Sequence, residues 1–136
     1  VYHDGEFHLF FQYNPFGNKW GHMSWGHAVS RDLLHWEHLP VAISEFTHAD
    51  KKTLTAIFSG GAVVDRGNKN GLCPTGTKDC MVALYTGNVT QGNTHLAQYQ
   101  NVAYSADKGR TWTQYTRNPI IDVGSKEFRD PNVFWY

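Results

Sequence analysis

An arginine, an aspartate and a proline stand together near the end of the sequence, as Arg129, Asp130 and Pro131. An ionised carboxylate accepts hydrogen bonds and can bind neighbouring hydroxyl groups, and an adjacent guanidinium can orient it or hold its charge. Proline fixes the backbone and is tolerated at the start of a strand, which would leave both side chains in place there. Taken alone, such a pair is more often a solvated ion pair at a strand edge.

Histidine is the second residue type that could do chemistry, because the chain carries eight of them. His22 and His27 are five positions apart, and His35 and His38 are three apart. Neither pair is accompanied by a carboxylate or a cysteine at the spacing of a zinc site. We therefore expect loop and strand-edge histidines, with no bound metal and no cofactor.

The composition narrows the range of partners. The chain has 136 residues, a formal net charge of +0 and an aromatic content of 15%. A neutral chain lacks the basic patch that nucleic acid or an anionic membrane requires, and no apolar run approaches the roughly 20 residues of a transmembrane helix. Aromatic side chains stack on flat apolar faces such as those of sugars. The composition permits a carbohydrate partner and argues against nucleic-acid and membrane partners.

Short strands and turns must position these residues, because no segment shows a sustained helical period. The pattern predicts an all-β fold. The expected strands lie at 7–13, 22–30, 62–65, 81–86 and 95–105, and a further strand is expected to begin at 134–136. Clusters of glycine and asparagine predict loops at 67–71 and 87–93.

Two segments repeat one pattern of alanine, serine, aspartate and tryptophan. They read AVSRDLLHW at 28–36 and AYSADKGRTW at 103–112. Aspartate in a tight turn accepts hydrogen bonds from the backbone ahead of it, and the tryptophan can pack back across that turn. A repeated strand–turn–tryptophan unit suggests propeller blades of about four strands each. Two unrelated β-hairpins would give the same pattern.

The cysteines and one sequon indicate in which cellular compartment the protein occurs. Cys73 and Cys80 flank a turn-rich loop, so a disulfide is plausible if the protein is secreted. Asn88 opens an Asn-Val-Thr sequon for N-glycosylation. Together these signals favour a secreted, extracellular glycoprotein. Val1 opens directly onto a strand-like segment and Tyr136 lies in an apolar run, so we expect an internal piece of a longer protein.

Three segments resemble glycoside hydrolase family 32. They are FFQYNPFGNKWGHMSWGHAVSRDLLHWEHLPVAI at 10–43, FSGGAVVD at 58–65 and FRDPNVFWY at 128–136. Their order and spacing match that family over nearly the whole chain, and the first segment is the most specific. The stretch WGHMSWGHA is more similar to fungal and yeast inulinases and invertases than to plant invertases.

The resemblance implies a five-bladed β-propeller followed by a β-sandwich. Residues 1–136 would be about two blades of a partial N-terminal catalytic propeller, with the rest of the propeller and the sandwich outside the chain. The implied activity is hydrolysis of β-D-fructofuranosidic bonds in fructans or sucrose with retention of configuration. Retention uses two carboxyl groups about 5–5.5 Å apart, one as nucleophile and one as acid/base.

The site residues follow from matching the family's motifs. Asp130 would hydrogen-bond two sugar hydroxyls as the transition-state stabiliser. Arg129 beside it would be one of the substrate-binding residues and would orient the carboxylate or hold its charge. Gln12, Trp20 and Ser59 match positions at the fructosyl unit. An amide offers a donor and an acceptor, and an indole offers a flat wall. Without the resemblance these would be a solvent-facing glutamine, a core tryptophan and a turn serine.

Two departures from the family pattern stand out. Gly61 occupies a position where the family usually has serine. The nucleophilic aspartate of an Asn-Asp-Pro-Asn-Gly motif is expected before residue 1, and the glutamate acid/base of a Glu-Cys motif after residue 136. Asp4 lies in an Asp-Gly turn and is no replacement for the nucleophile. The chain alone is therefore expected to be inactive.

Three other functions compete with hydrolysis. The stretch SADKGRTW at 105–112 fits the Asp-box of sialidase-like propellers, but a sialidase also needs an arginine cluster and a nucleophilic tyrosine. A non-catalytic carbohydrate-binding propeller piece would use the aromatic content. A fructosyltransferase of the same family would use the same residues. Hydrolysis or transfer, exo or endo attack, and the choice among inulin, levan and sucrose stay open at this point.

Overall fold

The structure is a computed structural model that describes residues 1–136. It consists of strands, turns and irregular segments, which confirms the all-β prediction. The nine strands are β1 (Tyr2–His3), β2 (Glu6–Tyr13), β3 (Ser24–Ser30), β4 (Glu37–Ile43), β5 (Phe46–Thr47), β6 (Thr53–Arg66), β7 (Asp79–Gln91), β8 (Thr94–Ser105) and β9 (Thr113–Gln114). No helix is present that is long and apolar enough to span a membrane.

The strands form two sheets that follow each other along the chain. The first has four strands in the order β1-β2-β3-β4, and the second has five in the order β5-β6-β7-β8-β9. All neighbouring strands are antiparallel and consecutive. Two successive meanders of this size are the arrangement of neighbouring propeller blades.

The central strands of the second sheet are much longer than their sequence signals. β6 and β7 extend well beyond the predicted 62–65 and 81–86, and the predicted loop at 87–93 is wrong because β7 continues to Gln91. Both strands are longer than predicted because each runs on through a glycine that the prediction treated as a boundary. A Cβ on Gly60 would lie 2.0 Å from the Leu84 carbonyl oxygen, and one on Gly87 would lie 2.7 Å from the Tyr99 ring. These glycines permit close approach within the sheet instead of ending a strand.

Two further boundaries differ from prediction. The expected strand at 134–136 is absent, because this segment finds no ladder partner and residues 122–136 form no strand. β4 (Glu37–Ile43) had no prediction, since Pro40 interrupts its apolar pattern.

The repeated motif forms equivalent turns at the ends of β3 and β8. Asp32 Oδ1 accepts hydrogen bonds from two backbone N–H groups ahead of it at 2.9 and 2.8 Å, and Trp36 Nε1 donates back into the turn at 3.1 Å. Asp107 accepts from the Thr111 N–H at 2.8 Å and from its hydroxyl at 2.6 Å, and Trp112 Nε1 donates back at 3.0 Å. The repeat therefore has a common structural basis in both sheets.

The main hydrophobic core lies between the two sheets. Its buried members come from β3, β4, β6, β7 and β8, and they are Trp25, Ile43, Ile57, Ala83, Tyr85 and Ala103. The backbone N–H of Ile57 also donates to the Met23 carbonyl at 2.8 Å. Packing and hydrogen bonding thus fix the two sheets against each other at β6.

A disulfide joins Cys73 and Cys80, the pairing that the sequence made plausible. It closes the loop between β6 and β7. Both cysteines are buried and pack with Val82 and Val102 in a second, smaller core. The cross-link therefore holds the loop against one end of the second sheet.

Candidate active site

The candidate site is built around an irregularity in β6. Pairing with β7 is regular up to Ile57 opposite Gly87 and resumes at Gly60 opposite Tyr85. Phe58 and Ser59 therefore oppose a single residue of β7, as in a β-bulge. Bulges leave backbone groups without ladder partners and redirect side chains, and they are frequent beside active sites.

Side chains of the first sheet bind the carbonyl groups of this bulge. Gln12 Nε2 donates to the Ile57 carbonyl at 3.0 Å, and Trp25 Nε1 donates to the Phe58 carbonyl at 2.9 Å. Gln12 and Trp25 are directly opposite each other on β2 and β3. The amide oxygen of Gln12 remains available to accept a hydrogen bond from a ligand.

A cleft of about 280 Å³ opens where β2 faces the bulge. Its lining includes Gln12, Ser59, Gly60 and Gly61 together with the apolar side of β2. The volume is close to the lower end of the roughly 300–1,000 Å³ typical of ligand pockets. Another cleft of about 370 Å³, at the Asp32 turn, holds none of the predicted site residues.

Trp20 lies on the loop between β2 and β3 and is not a core residue. Its side chain is 81% exposed. Its ring centroid lies 6.3 Å from that of Phe58, in an edge-to-face arrangement. The indole therefore stands beside the bulge, where it could form one wall of a binding site.

Asp130 reaches the same region from the C-terminal segment. Its backbone N–H donates to Thr86 Oγ1 at 2.9 Å. Thr86 is the β7 residue opposite the bulge, between the partners of Gly60 and Ile57. The Val133 side chain, three residues further on, packs within 3.3 Å of the position a Cβ on Gly61 would take. All three segments that predicted a site therefore converge on one bulge.

Arg129 has other partners than expected. Its Nη1 donates to Gln98 Oε1 at 3.0 Å and to Glu127 Oε2 at 2.5 Å. Its hydrogen bonds and ion pair thus lie away from the Asp130 carboxylate, and the expectation that Arg129 orients this carboxylate directly is wrong. The arginine instead anchors the segment to β8.

The sequon at Asn88 is not available as a glycosylation site in this fold. Asn88 lies within β7 and is only 6% exposed. Its Oδ1 accepts a hydrogen bond from Gln98 Nε2 at 3.1 Å. A glycan there would disrupt the sheet, so the predicted N-glycosylation is corrected.

Three buried polar residues beneath the site were missing from the sequence predictions: Thr86, Gln98 and Gln100. Thr86 and Gln100 are directly paired across β7 and β8, as are Asn88 and Gln98. The available signal was polar residues at alternate positions of two otherwise apolar strands, because polar residues on a buried strand face need a partner.

The expectation of loop and strand-edge histidines is wrong for His27, which lies in the middle of β3 and is 1% exposed because it packs against His8 and Phe10. His22 and His35 are exposed and contact carboxylates. His22 Nδ1 lies 2.6 Å from Glu45 Oε1, and His35 Nδ1 lies 2.7 Å from Asp32 Oδ2. No group of three or more histidine, cysteine, aspartate and glutamate side chains is arranged to hold a metal ion.

Comparison with known proteins places this geometry in a family. Residues 1–136 match the profile described as Glycosyl hydrolases family 32 N-terminal domain. The chain is 54% identical to levanase of Bacillus subtilis, 43% to extracellular exo-inulinase of Aspergillus awamori and 42% to invertase of Schizosaccharomyces pombe. These alignments cover 100%, 100% and 99% of the chain but only 18%, 28% and 23% of those proteins. The similarity to fungal enzymes thus extends to a bacterial one.

Solved structures agree with the sequence comparison. The crystal structure of exo-inulinase from Aspergillus awamori superposes with a TM-score of 0.84 at 40% identity, over 100% of this chain and 29% of that one. The fructofuranosidase from Schwanniomyces occidentalis complexed with fructose gives a TM-score of 0.82 at 42% identity, over 97% and 25%. The two sheets are accordingly blades of the family's β-propeller. The chain belongs to glycosyl hydrolase family 32.

Proposed function

We propose that the chain is part of the catalytic propeller of an enzyme that hydrolyses β-D-fructofuranosidic bonds in fructans or sucrose. The observation that carries the proposal is the position of Asp130, tied through its backbone to Thr86 opposite the β6 bulge. The names of the relatives support the substrate class, since they include a levanase, exo-inulinases and invertases.

Asp130 is the residue with a direct chemical role. Its carboxylate side chain is exposed and free to accept hydrogen bonds from two adjacent sugar hydroxyls. Hydrogen bonds of this kind strengthen as the ring distorts toward an oxocarbenium-like transition state. Because only interactions that are stronger in the transition state raise the rate, loss of the carboxylate should affect turnover more than binding.

The other residues bind and orient the sugar. Gln12 Oε1 accepts a hydroxyl hydrogen bond while its Nε2 stays on the Ile57 carbonyl. Trp20 provides an apolar wall beside Phe58, and the hydroxyl of Ser59 lines the cleft. Arg129 acts through the backbone of the segment rather than on the substrate.

The remaining catalytic groups are proposed to lie outside residues 1–136. A retaining mechanism requires a nucleophilic carboxylate and an acid/base carboxyl group about 5–5.5 Å apart. By family motif, the nucleophile precedes this chain and the acid/base follows it, together with the remaining blades and a β-sandwich. The relatives, of which the chain covers 18% to 28%, are long enough to hold these parts.

We propose that the enzyme is secreted. The buried disulfide between Cys73 and Cys80 supports this, because disulfides persist mainly in oxidising compartments. Several similar exo-inulinases are named as extracellular proteins.

The proposal is tested by the Asp130→Asn variant of the complete enzyme that contains this chain. Release of fructose from inulin, levan and sucrose should fall by about 10²- to 10³-fold or more, as when a preorganised transition-state contact is removed. Asp122→Asn is the matched control, because Asp122 is exposed, caps the Gly124 N–H and lies in the same segment.

The outcomes separate the parts of the proposal. Full turnover in Asp130→Asn would remove Asp130 from the site. Absence of fructose from all three substrates with the wild type would remove the β-fructosidase activity itself. An unchanged melting temperature in both variants ensures that the comparison concerns chemistry and not folding.

A further inference from the structure

A polar ladder lies on one face of β7 and β8, beneath the segment that carries Asp130. Thr86 pairs directly with Gln100, and two positions along the strands Asn88 pairs with Gln98. Their exposed fractions are 0%, 2%, 6% and 2% in that order. Buried polar side chains are unfavourable unless they are hydrogen-bonded, so this ladder requires partners.

The partners of the Thr86–Gln100 rung lie on both sides of Arg129. Gln100 Nε2 donates to the Phe128 carbonyl at 2.8 Å. The backbone N–H of Asp130 donates to Thr86 Oγ1 at 2.9 Å. Thr86 Oγ1 in turn donates to Gln100 Oε1 at 3.1 Å.

The number of protons on each group fixes which atom donates and which accepts in these hydrogen bonds. A threonine hydroxyl has one proton, and Thr86 uses it on Gln100. The oxygen is therefore left as an acceptor for the Asp130 N–H. The Gln100 amide oxygen accepts from Thr86, and its nitrogen donates to the Phe128 carbonyl. Every donor in this set therefore meets an acceptor.

The backbone of Asp130 needs such support. Its φ is 63°, in the left-handed region that a residue with a side chain rarely occupies. Residues 122–136 form no strand, so regular structure does not hold this conformation. Because the side chain leaves the backbone at Cα, the angles held at Asp130 set the direction of its carboxylate.

We propose that Thr86 and Gln100 are positioning residues for Asp130. Acting as a buried pair, they hold the Phe128 carbonyl and the Asp130 N–H, and so fix the direction in which the carboxylate leaves the backbone. The proposal rests on the function proposed above for Asp130. Thr86 and Gln100 act only through the backbone and are not themselves catalytic.

The test compares Thr86→Val with Thr55→Val in the complete enzyme. Both threonines are 0% exposed, and the Thr55 hydroxyl is hydrogen-bonded to His48 and Tyr99 on the other side of the sheet, not to residues 128–130. Thr86→Val should lower kcat on sucrose about tenfold to a hundredfold, because small displacements of a reacting group are costly. KM should change much less. Thr55→Val should leave kcat unchanged even where it lowers the melting temperature equally.

Two further variants sharpen the result. Thr86→Ser keeps the hydroxyl and should restore most of the turnover lost in Thr86→Val. Gln100→Met removes the donor to Phe128 at similar size and should lower kcat in the same direction. It also serves as the test if Thr86→Val does not fold.

The outcomes distinguish this proposal from the function on which it rests. If Asp130→Asn loses turnover while Thr86→Val and Gln100→Met keep it, the positioning role is wrong and the site stands. Equal loss of kcat in Thr86→Val and Thr55→Val would likewise overturn it, since the effect would then be general stability. If Asp130→Asn keeps full turnover, the role of Asp130 fails whatever Thr86 does.

Discussion

Two histidines form a buried hydrogen bond within the first sheet. His8 Nδ1 lies 3.0 Å from His27 Nε2, and the residues are 4% and 1% exposed. Such a bond joins one N–H to one bare ring nitrogen, so both rings cannot be protonated and keep it. Burial lowers the pKa of each from 6.5 to about 4, and for His27 the charge of His8 adds to this. Glu6 opposes the shift in both, while Arg110 adds to it.

The pair makes stability depend on pH in a defined direction. Unfolding releases both rings to a pKa near 6.5, so the unfolded state binds more protons between pH 6.5 and about 4. The stabilisation is therefore complete above pH 6.5 and is lost as the pH falls through this window, by up to about 1.4 kcal/mol per pH unit for each histidine. Thermal unfolding of the complete enzyme across the window should show this slope.

The matched variants are His27→Gln and His38→Gln. His27→Gln removes one of the titrating rings and should flatten the slope, whereas His38 is exposed and its loss should leave the slope unchanged. Equal slopes in the wild type and His27→Gln would show that the pair does not control acid stability.

The residue scale also shows what the sequence could and could not predict. Gln12, Ser59, Trp20 and Asp130 were predicted by motif, and all four lie around the β6 bulge. Thr86 was not predicted, because its role depends on a segment 44 positions away in the chain. The functional role of a buried polar strand residue cannot be predicted until the position of the segment that forms hydrogen bonds with it is known.

At the scale of the element, glycine decides how β6 runs past β7. Gly60 ends the bulge and lies directly against the backbone of β7, where a Cβ would be 2.0 Å from the Leu84 carbonyl oxygen. Gly61 has more room, since a Cβ there would have a methyl group of the Val133 side chain as its nearest neighbour, at 3.3 Å. The strand was predicted to begin only at 62, after the Gly-Gly pair, because sequence rules for short segments contain no information about a neighbouring strand.

Gly60→Ala and Gly61→Ala should therefore differ in stability. A methyl group on Gly60 must push β6 away from β7, and overpacking against backbone typically costs about 1–3 kcal/mol and sometimes more. For Gly61→Ala a shift of the Val133 side chain by a few tenths of an ångström suffices, and the loss should be below about 1 kcal/mol. Thermal unfolding of both variants measures the difference. A loss at Gly61 as large as that at Gly60 would contradict this account of the bulge.

At the scale of the whole molecule, the turn around Asp107 at the end of β8 clamps the two blades together. Lys108 binds Asp4, and Arg110 lies 2.8 Å from Glu6 on the first sheet. Gly109 between them packs against the buried His27 ring. The turn that resembles a sialidase Asp-box thus has a structural role here. Its motif predicted the turn but not the docking, because the partner residues lie 104 positions away.

This clamp and the shared core bind only two blades to each other, which leads to a prediction for residues 1–136 expressed alone. Large apolar side chains stay exposed, among them Phe16 at 76%, Trp20 at 81% and Phe134 at 70%. Unpaired sheet edges and exposed apolar surface favour aggregation. We expect the isolated chain to aggregate or to unfold without a cooperative transition, whereas the complete enzyme melts cooperatively. Calorimetry measures whether the isolated chain and the complete enzyme melt cooperatively, and light scattering measures whether each aggregates. A sharp two-state melt of the isolated chain would mean that the interface between the two blades is by itself a sufficient core.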